Sequence, residues 1–241
     1  MHTPQTHPIT TLFATVTSLI LGVFLTFAAV AQSADQSTCN LLTVDTTEVG
    51  DAEFEVSEDS YTVRSRGNLT KKHDRYGAIY ADDALESGQS IEVTLDSQEN
   101  TDKWIRTGLM VANDITEAGG SVGDLTMAVT PAAGTELRWD GDADGSLGGG
   151  TYTRPGVEVE FPVKLRIDRR GRNFIGYYST DGGETYTEVG STTIPDAAAS
   201  QDVGIFNISR SNSRSSAEFS DFRMGAAPKP TLTPKPVDAS G

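Results

Sequence analysis

The sequence predicts an all-β fold, a sandwich of two antiparallel sheets. Three observations carry that expectation. Beyond residue 40 the apolar residues recur at every second position, the spacing that sets one face of a strand on a core and the other in water. Gly, Asp, Asn and Ser gather between the apolar runs, where the chain must turn. No segment carries the spacing of a long amphipathic helix.

The alternation is clearest in three segments. In "SIEVTLD" Ile91, Val93 and Leu95 share one face, and Glu92, Thr94 and Asp96 share the other. "LTMAVT" points Leu125, Met127 and Val129 inward, and "VKLRID" does so with Val163, Leu165 and Ile167 while Lys164, Arg166 and Asp168 face out. Each is predicted as a strand with one wet face. Further strands are predicted at 52–56, 61–65, 76–81, 104–112, 136–140, 173–179, 202–209 and 217–224, and "PDAAAS" (195–200) as one short helical turn. About a dozen short strands separated by turns pack as two sheets face to face.

The chain has 241 residues with Lys+Arg 19 and Asp+Glu 34, a formal net charge of −15. That charge excludes nucleic acid and anionic membrane surfaces as partners, since both repel it. Of the basic residues 13 are Arg and 6 are Lys. An acid-rich, Lys-poor chain suits a high-salt habitat, and the halophilic reading is preferred to that of an ordinary acidic secreted protein. Residues 12–31, "LFATVTSLILGVFLTFAAVA", are apolar and end in the small-x-small pattern of Ala29 and Ala31. They read as a secretory signal peptide, residues 1–31, cut to leave Gln32 first. The n-region lacks Lys and Arg and the segment is long enough to span a bilayer, so an uncleaved anchor stays open, and only in that case does the chain meet a membrane. Cys39 is the single cysteine, so no internal disulfide forms. A globular domain is expected at 40–224, followed by a Pro-rich tail or linker stub at 225–241.

Four segments occur in a telling order: "WIRTGLMVAND", "LTMAVTP" with "ELRWD", "PVKLRIDRRGRNFIGYYSTDGGETYTEVGS", and "DVGIFNIS" with "AEFSDFRM". Together they resemble the concanavalin A-like lectin/glucanase jelly-roll modules of secreted carbohydrate-active proteins, above all those at the C-terminal end of microbial β-xylosidases. The resemblance covers residues 40–224 and is most specific from Pro162 to Gly190. It implies a two-sheet antiparallel jelly-roll sandwich and an extracellular, non-catalytic carbohydrate-binding or accessory role, with a polysaccharide or glycan as partner and the chain acting as a monomer. A small β-glycan hydrolase and a structural cell-surface domain remain as alternatives. The chain departs from the pattern after Trp139, where Asp140 begins an acidic loop.

The chemistry-bearing motifs narrow these choices. "STDGGETY" (179–186) matches the Asp-box pattern and reads as a turn stabiliser, with Asp181 bonding its own turn and Tyr186 folding beneath it. Only His73 lies outside the signal, so neither a Ser-His-Asp triad nor a zinc site is supported. "EFEVSE" sets Glu53, Glu55 and Glu58 in an echo of the paired carboxylates of glucanases, and it is the one motif a hydrolase would use. Sugar binding by a sandwich needs aromatic platforms and polar side chains. The candidates are Trp104, Arg106, Arg138, Trp139, Tyr177 and Tyr178. Trp139 shares the parity of Leu137, which also fits a core position.

"DGDADGSLGGGT" (140–151) places Asp140, Asp142 and Asp144 at alternate positions before Gly145, the opening of a calcium loop. Thr151 stands where a bidentate Glu is wanted, so a partner such as Glu158 or Glu160 would be needed. No cofactor is expected beyond weak calcium, with a dissociation constant on the order of 10⁻⁴ M or poorer. The competing reading, a solvated hairpin tip, is preferred.

Overall fold

The structure is a computed structural model, and it describes residues 40–70, 73–117 and 119–229. The export segment, Cys39 and the end of the Pro-rich tail lie outside these residues. Sixteen strands, numbered in chain order, form two seven-stranded antiparallel sheets and one small hairpin among the described residues.

The front sheet runs β1 (Leu41–Asp45), β6 (Gly77–Glu86), β15 (Ser200–Ile208), β8 (Arg106–Ala112), β9 (Leu125–Thr130), β10 (Gly134–Trp139) and β11 (Thr151–Thr153). The back sheet runs β14 (Thr187–Thr193), β13 (Asn173–Ser179), β12 (Val163–Arg170), β7 (Gln89–Gln98), β16 (Ser215–Ala226), β3 (Ser60–Ser65) and β2 (Glu53–Val56). β4 (Asn68–Leu69) and β5 (Asp74–Arg75) pair as the hairpin. The architecture is the all-β sandwich that the period-two pattern implies.

The core fills the space between the sheets. Ile91, Val93 and Leu95 of β7 and Val163, Leu165 and Ile167 of β12 pack into one cluster with Leu109, Val111, Leu125, Met127 and Leu137 of the front sheet. Burying each such side chain contributes roughly 1.5–3 kcal/mol. Glu92 and Asp96 of β7 and Lys164 and Arg166 of β12 are more exposed, as their sequence pattern requires, but Asp168, expected to face out, is buried between Arg166 and Arg170.

The front sheet breaks that pattern. All six residues of β9 are buried, including Thr126, Ala128 and Thr130 on the face expected to be wet. A second apolar cluster explains it. Met110, Ala112, Ala128, Phe206 and Ile208 on the outer face meet Leu69, Ile115 and Leu147, which come from the β4–β5 hairpin and two long loops. These loops roof the part of the front sheet nearest β6, β15 and β8.

Other local differences have simple causes. "PDAAAS" forms a turn closed by Ala197 N–H donating to Ile194 O at 3.3 Å rather than a helical turn. β8 begins at Arg106, because Asp102 takes the Trp104 N–H at 2.7 Å and holds that tryptophan in the preceding turn. β16 runs on to Ala226, two residues beyond the predicted end of the domain.

Candidate functional site

Residue parity brings a group of charges onto the outer face of the front sheet, beside the roofed region. Gly108, Ala128 and Glu136 stand in register across β8, β9 and β10. Arg106 lies two residues before Gly108 and Arg138 two residues after Glu136, so all three charged side chains share one face. Ala128 between them leaves room for the long side chains to meet. Arg138 pairs with Tyr152 across β10 and β11, and Arg154 follows at the end of that short strand.

Glu136 is fully buried and serves three guanidinium groups. Its Oε1 accepts from Arg106 Nε and from Arg138 Nε, each at 2.8 Å, and its Oε2 accepts from Arg154. Burial alone pushes the Glu136 carboxyl up. The bonds and charges of Arg138 and Arg106 outweigh it and hold the group at about 2. Burial also pulls the Arg106 guanidinium below its ordinary value, with Glu136 opposing and Arg138 and Arg154 reinforcing. Arg106 Nη1 donates to Trp104 O at 3.2 Å, and Arg138 Nη1 to Leu147 O at 2.9 Å.

The aromatic residues hold these arginines. The Arg154 guanidinium lies 3.9 Å from the Tyr152 ring centre and 4.9 Å from that of Trp104, and Arg138 lies 4.8 Å from Tyr152. Above them opens a pocket of about 430 Å³. Its walls are Leu69, Trp104, Arg106, Arg138, Tyr152, Arg154, Arg210 and the glycines 148–150. No carboxylate of the described residues lines it. Arg210 stands exposed at the rim, and its side chain has no ion pair among the described residues.

The acidic loop supplies one wall. Residues 141–144 are exposed, but Gly145, Ser146 and Leu147 are buried, so only the first half is a solvated tip. Asp140 ties that half by accepting from Gly145 N–H at 2.9 Å and Asp144 N–H at 3.3 Å. Asp74 fixes the second half by accepting from Leu147 N–H at 2.6 Å. Gly148 then passes so close to the Thr70 main chain that an added Cβ would sit 2.2 Å from its carbonyl carbon. Behind the loop, burial pushes Asp74 up to about 6, and it pushes Asp124 and Asp140 up as well. Asp124 also feels Asp74 and Asp140, and its Oδ1 is buried with no hydrogen-bond partner.

The structure divides the residues singled out in the sequence. Trp104, Arg106 and Arg138 come together in the pocket. Trp139 packs against the inter-sheet core, and Tyr178 is inside it. Tyr177 lies on the back sheet, its ring 4.6 Å from the Arg166 guanidinium. The carboxylate oxygens of Asp140, Asp142 and Asp144 lie within 4.8 Å of one another. Glu158 and Glu160 are not part of that group and line a separate cavity with Phe161 and Lys164. Glu53 and Glu55 are exposed on the edge strand β2, where Glu53 pairs with Arg64 and Arg214. His73 is exposed in the β4–β5 turn, its N–H donating to Thr70 Oγ1 at 3.1 Å. Sequence reasoning missed Glu136, Tyr152, Arg154 and Arg210. The alternation of Tyr152 and Arg154 after a glycine run is the one signal that points to two of them.

No protein-family model matches the chain, and no curated protein is similar to it in sequence. Solved structures are similar in fold. A functionally unknown protein from Saccharomyces cerevisiae superposes with a TM-score of 0.56 at 12% identity, over 78% of this chain and 97% of that one. The GH43 protein BlXynB from Bacillus licheniformis gives 0.52 at 16%, over 70% of this chain and 33% of its own, so this chain spans about a third of it. A structure from work on the endo-acting O-glycanases that prominent members of the human gut microbiota express to initiate mucin breakdown gives 0.51 at 12%, over 82% and 96%. At these identities the shared property is the two-sheet sandwich.

Proposed function

We propose that the chain is an extracellular, non-catalytic carbohydrate-binding or accessory module, and that its ligand seats in the arginine-walled pocket. One observation carries the reading: an open pocket lined by cations and aromatic residues, with no carboxylate of the described residues in its wall. Glycoside hydrolysis needs two carboxyl groups flanking the bond, one of them with a raised pKa so that it can donate a proton. Glu136 lies beneath the pocket, saturated by three arginines and held at about 2. It is placed to hold arginines and not to exchange protons with a substrate. The fold likeness to BlXynB and to a structure from the O-glycanase work supports the carbohydrate class by analogy.

The test is a glycan array read together with reducing-sugar release on the same glycans. Binding without release is expected, with binding lost in Trp104→Ala. Sugar release that Glu53→Gln abolishes would replace this reading with that of a hydrolase.

A further inference from the structure

We infer that the glycan recognised in this pocket is acidic, and that Arg106, Arg138, Arg154 and Arg210 form a subsite for a uronate carboxylate. The inference rests on the pocket being a glycan site and adds the chemical class of the ligand. Its first support is a local reversal of charge. The chain carries 34 acidic and 19 basic residues, yet this pocket gathers four guanidinium groups in its wall and no carboxylate. Glu136 below balances one of the four. Asp74 attracts Arg138 from behind the loop and Arg210 is exposed at the rim, yet an excess of positive charge remains in a partly desolvated wall, where like charges repel more strongly than in water. A chain this rich in acids has ample means to neutralise that excess, and no acidic side chain of the described residues enters the wall to do so.

The second support is where the donors go. Glu136 takes the Nε–H of Arg106, Arg138 and Arg154. The Nη1 groups of Arg106 and Arg138 are spent on Trp104 O and Leu147 O. These bonds fix both guanidinium planes and leave the Nη2 groups of Arg106 and Arg138 without a hydrogen bond among the described residues. Oriented, unspent donors on arginine suit a planar carboxylate, which accepts two parallel N–H bonds.

The third support is the state of the aromatic rings. A neutral sugar binds largely by laying its C–H face on an exposed ring. Here the rings of Tyr152 and Trp104 already carry guanidinium groups at 3.9–4.9 Å. They serve as backing for the cations, so a sugar laid on the half of Tyr152 that stays exposed would meet the guanidinium groups as well as the ring.

The experiment is calorimetric titration at fixed ionic strength with a defined panel. The panel holds an oligogalacturonate, an oligomannuronate, the carboxyl-reduced form of each, xylohexaose and dextran sulfate. At least one uronate oligomer should bind about tenfold or more tightly than its carboxyl-reduced form, the worth of one or two charge-assisted hydrogen bonds. Arg138→Lys, which keeps the charge and loses the fork, should weaken uronate binding about tenfold. Arg210→Gln, at the exposed rim, should weaken it several-fold with no change in melting temperature, so misfolding does not confuse the result. Equal binding of a uronate and its reduced form, or tighter binding of xylohexaose, overturns the acidic-ligand inference and leaves glycan binding standing. Tighter binding of dextran sulfate overturns the carboxylate assignment. No binding to any member overturns both the inference and the reading beneath it.

Discussion

Glu136→Gln removes the single negative charge under three arginines and changes almost no volume. The structure sets the size of the effect. Glu136 is fully buried, and its acidity is strengthened from an ordinary 4.5 to about 2 in spite of burial. About 2.5 pH units at roughly 1.4 kcal/mol each correspond to about 3 kcal/mol of preference for the ionised form in the folded state. A glutamine keeps one acceptor but turns an N–H donor toward a guanidinium, leaving buried cations unpaired, so the full cost should be about 3–5 kcal/mol. The sign with pH follows. The folded pKa is depressed, so the contribution is complete above about 4.5 and is lost as the pH falls toward 2. Urea unfolding of both proteins at neutral pH and near pH 3 measures it. The gap between wild type and variant should be wide at neutral pH and narrow in acid, because only wild type has this proton to take up. A gap below about 1 kcal/mol at neutral pH would refute the claim that Glu136 holds the cluster together.

Asp74 should act in the opposite sense: its folded pKa is raised to about 6, so stability should grow as the pH falls from about 7 to 5, by about 1 kcal/mol, and a steady decline over that range in urea midpoints would contradict it. Asp181 accepts from Thr185 N–H at 2.9 Å and from the Thr185 and Ser179 hydroxyls at 2.6 and 2.7 Å, so Asp181→Ala should lower the melting temperature while glycan affinity, measured by titration, stays unchanged. Calcium titration at constant ionic strength should give a dissociation constant on the order of 10⁻⁴ M or poorer, and submicromolar binding lost in Asp142→Asn/Asp144→Asn would make the acidic loop a true calcium site. The melting temperature should climb with salt toward the molar range as the net charge of −15 is screened, and a flat profile would count against a halophilic origin.

The sandwich was legible wherever one face of a strand meets the core and the other meets water, as with Ile91, Val93 and Leu95 against Glu92 and Asp96. It was harder to read where loops roof the sheet. "RTGLMVA" and "DVGIFNI" are apolar on both parities, which is the mark of strands covered on both faces, but nothing local says what covers them. β1, β11 and β14 were missed because they are short or largely exposed edge strands with weak alternation. In the site, Trp104, Arg106 and Arg138 were legible as residue types suited to sugar. Glu136 was not, since one acid in a chain with 34 gains meaning only when β8, β10 and β11 bring three arginines to it. Arg210 was hidden for the same reason, because it reaches the rim from a distant turn.

Leu147 is gripped at both of its main-chain polar groups: Asp74 holds its N–H, in the peptide before it, and Arg138 holds its carbonyl, in the peptide after it. An anion on one side and a cation on the other make that residue the anchor of the loop's fixed half. Residues 141–144 lie on the free side of it, exposed. Residues 145–147 are buried, and the glycines 148–150 that follow them line the pocket wall. A one-residue change of length after Gly145 would shift the carbonyl that orients Arg138, whereas a label placed within 141–144 need disturb only the bonds that Asp140 accepts from Asp144 and Gly145. The loop thus offers an attachment point for a label or a fused domain within a short reach of the pocket, on residues that do not line it.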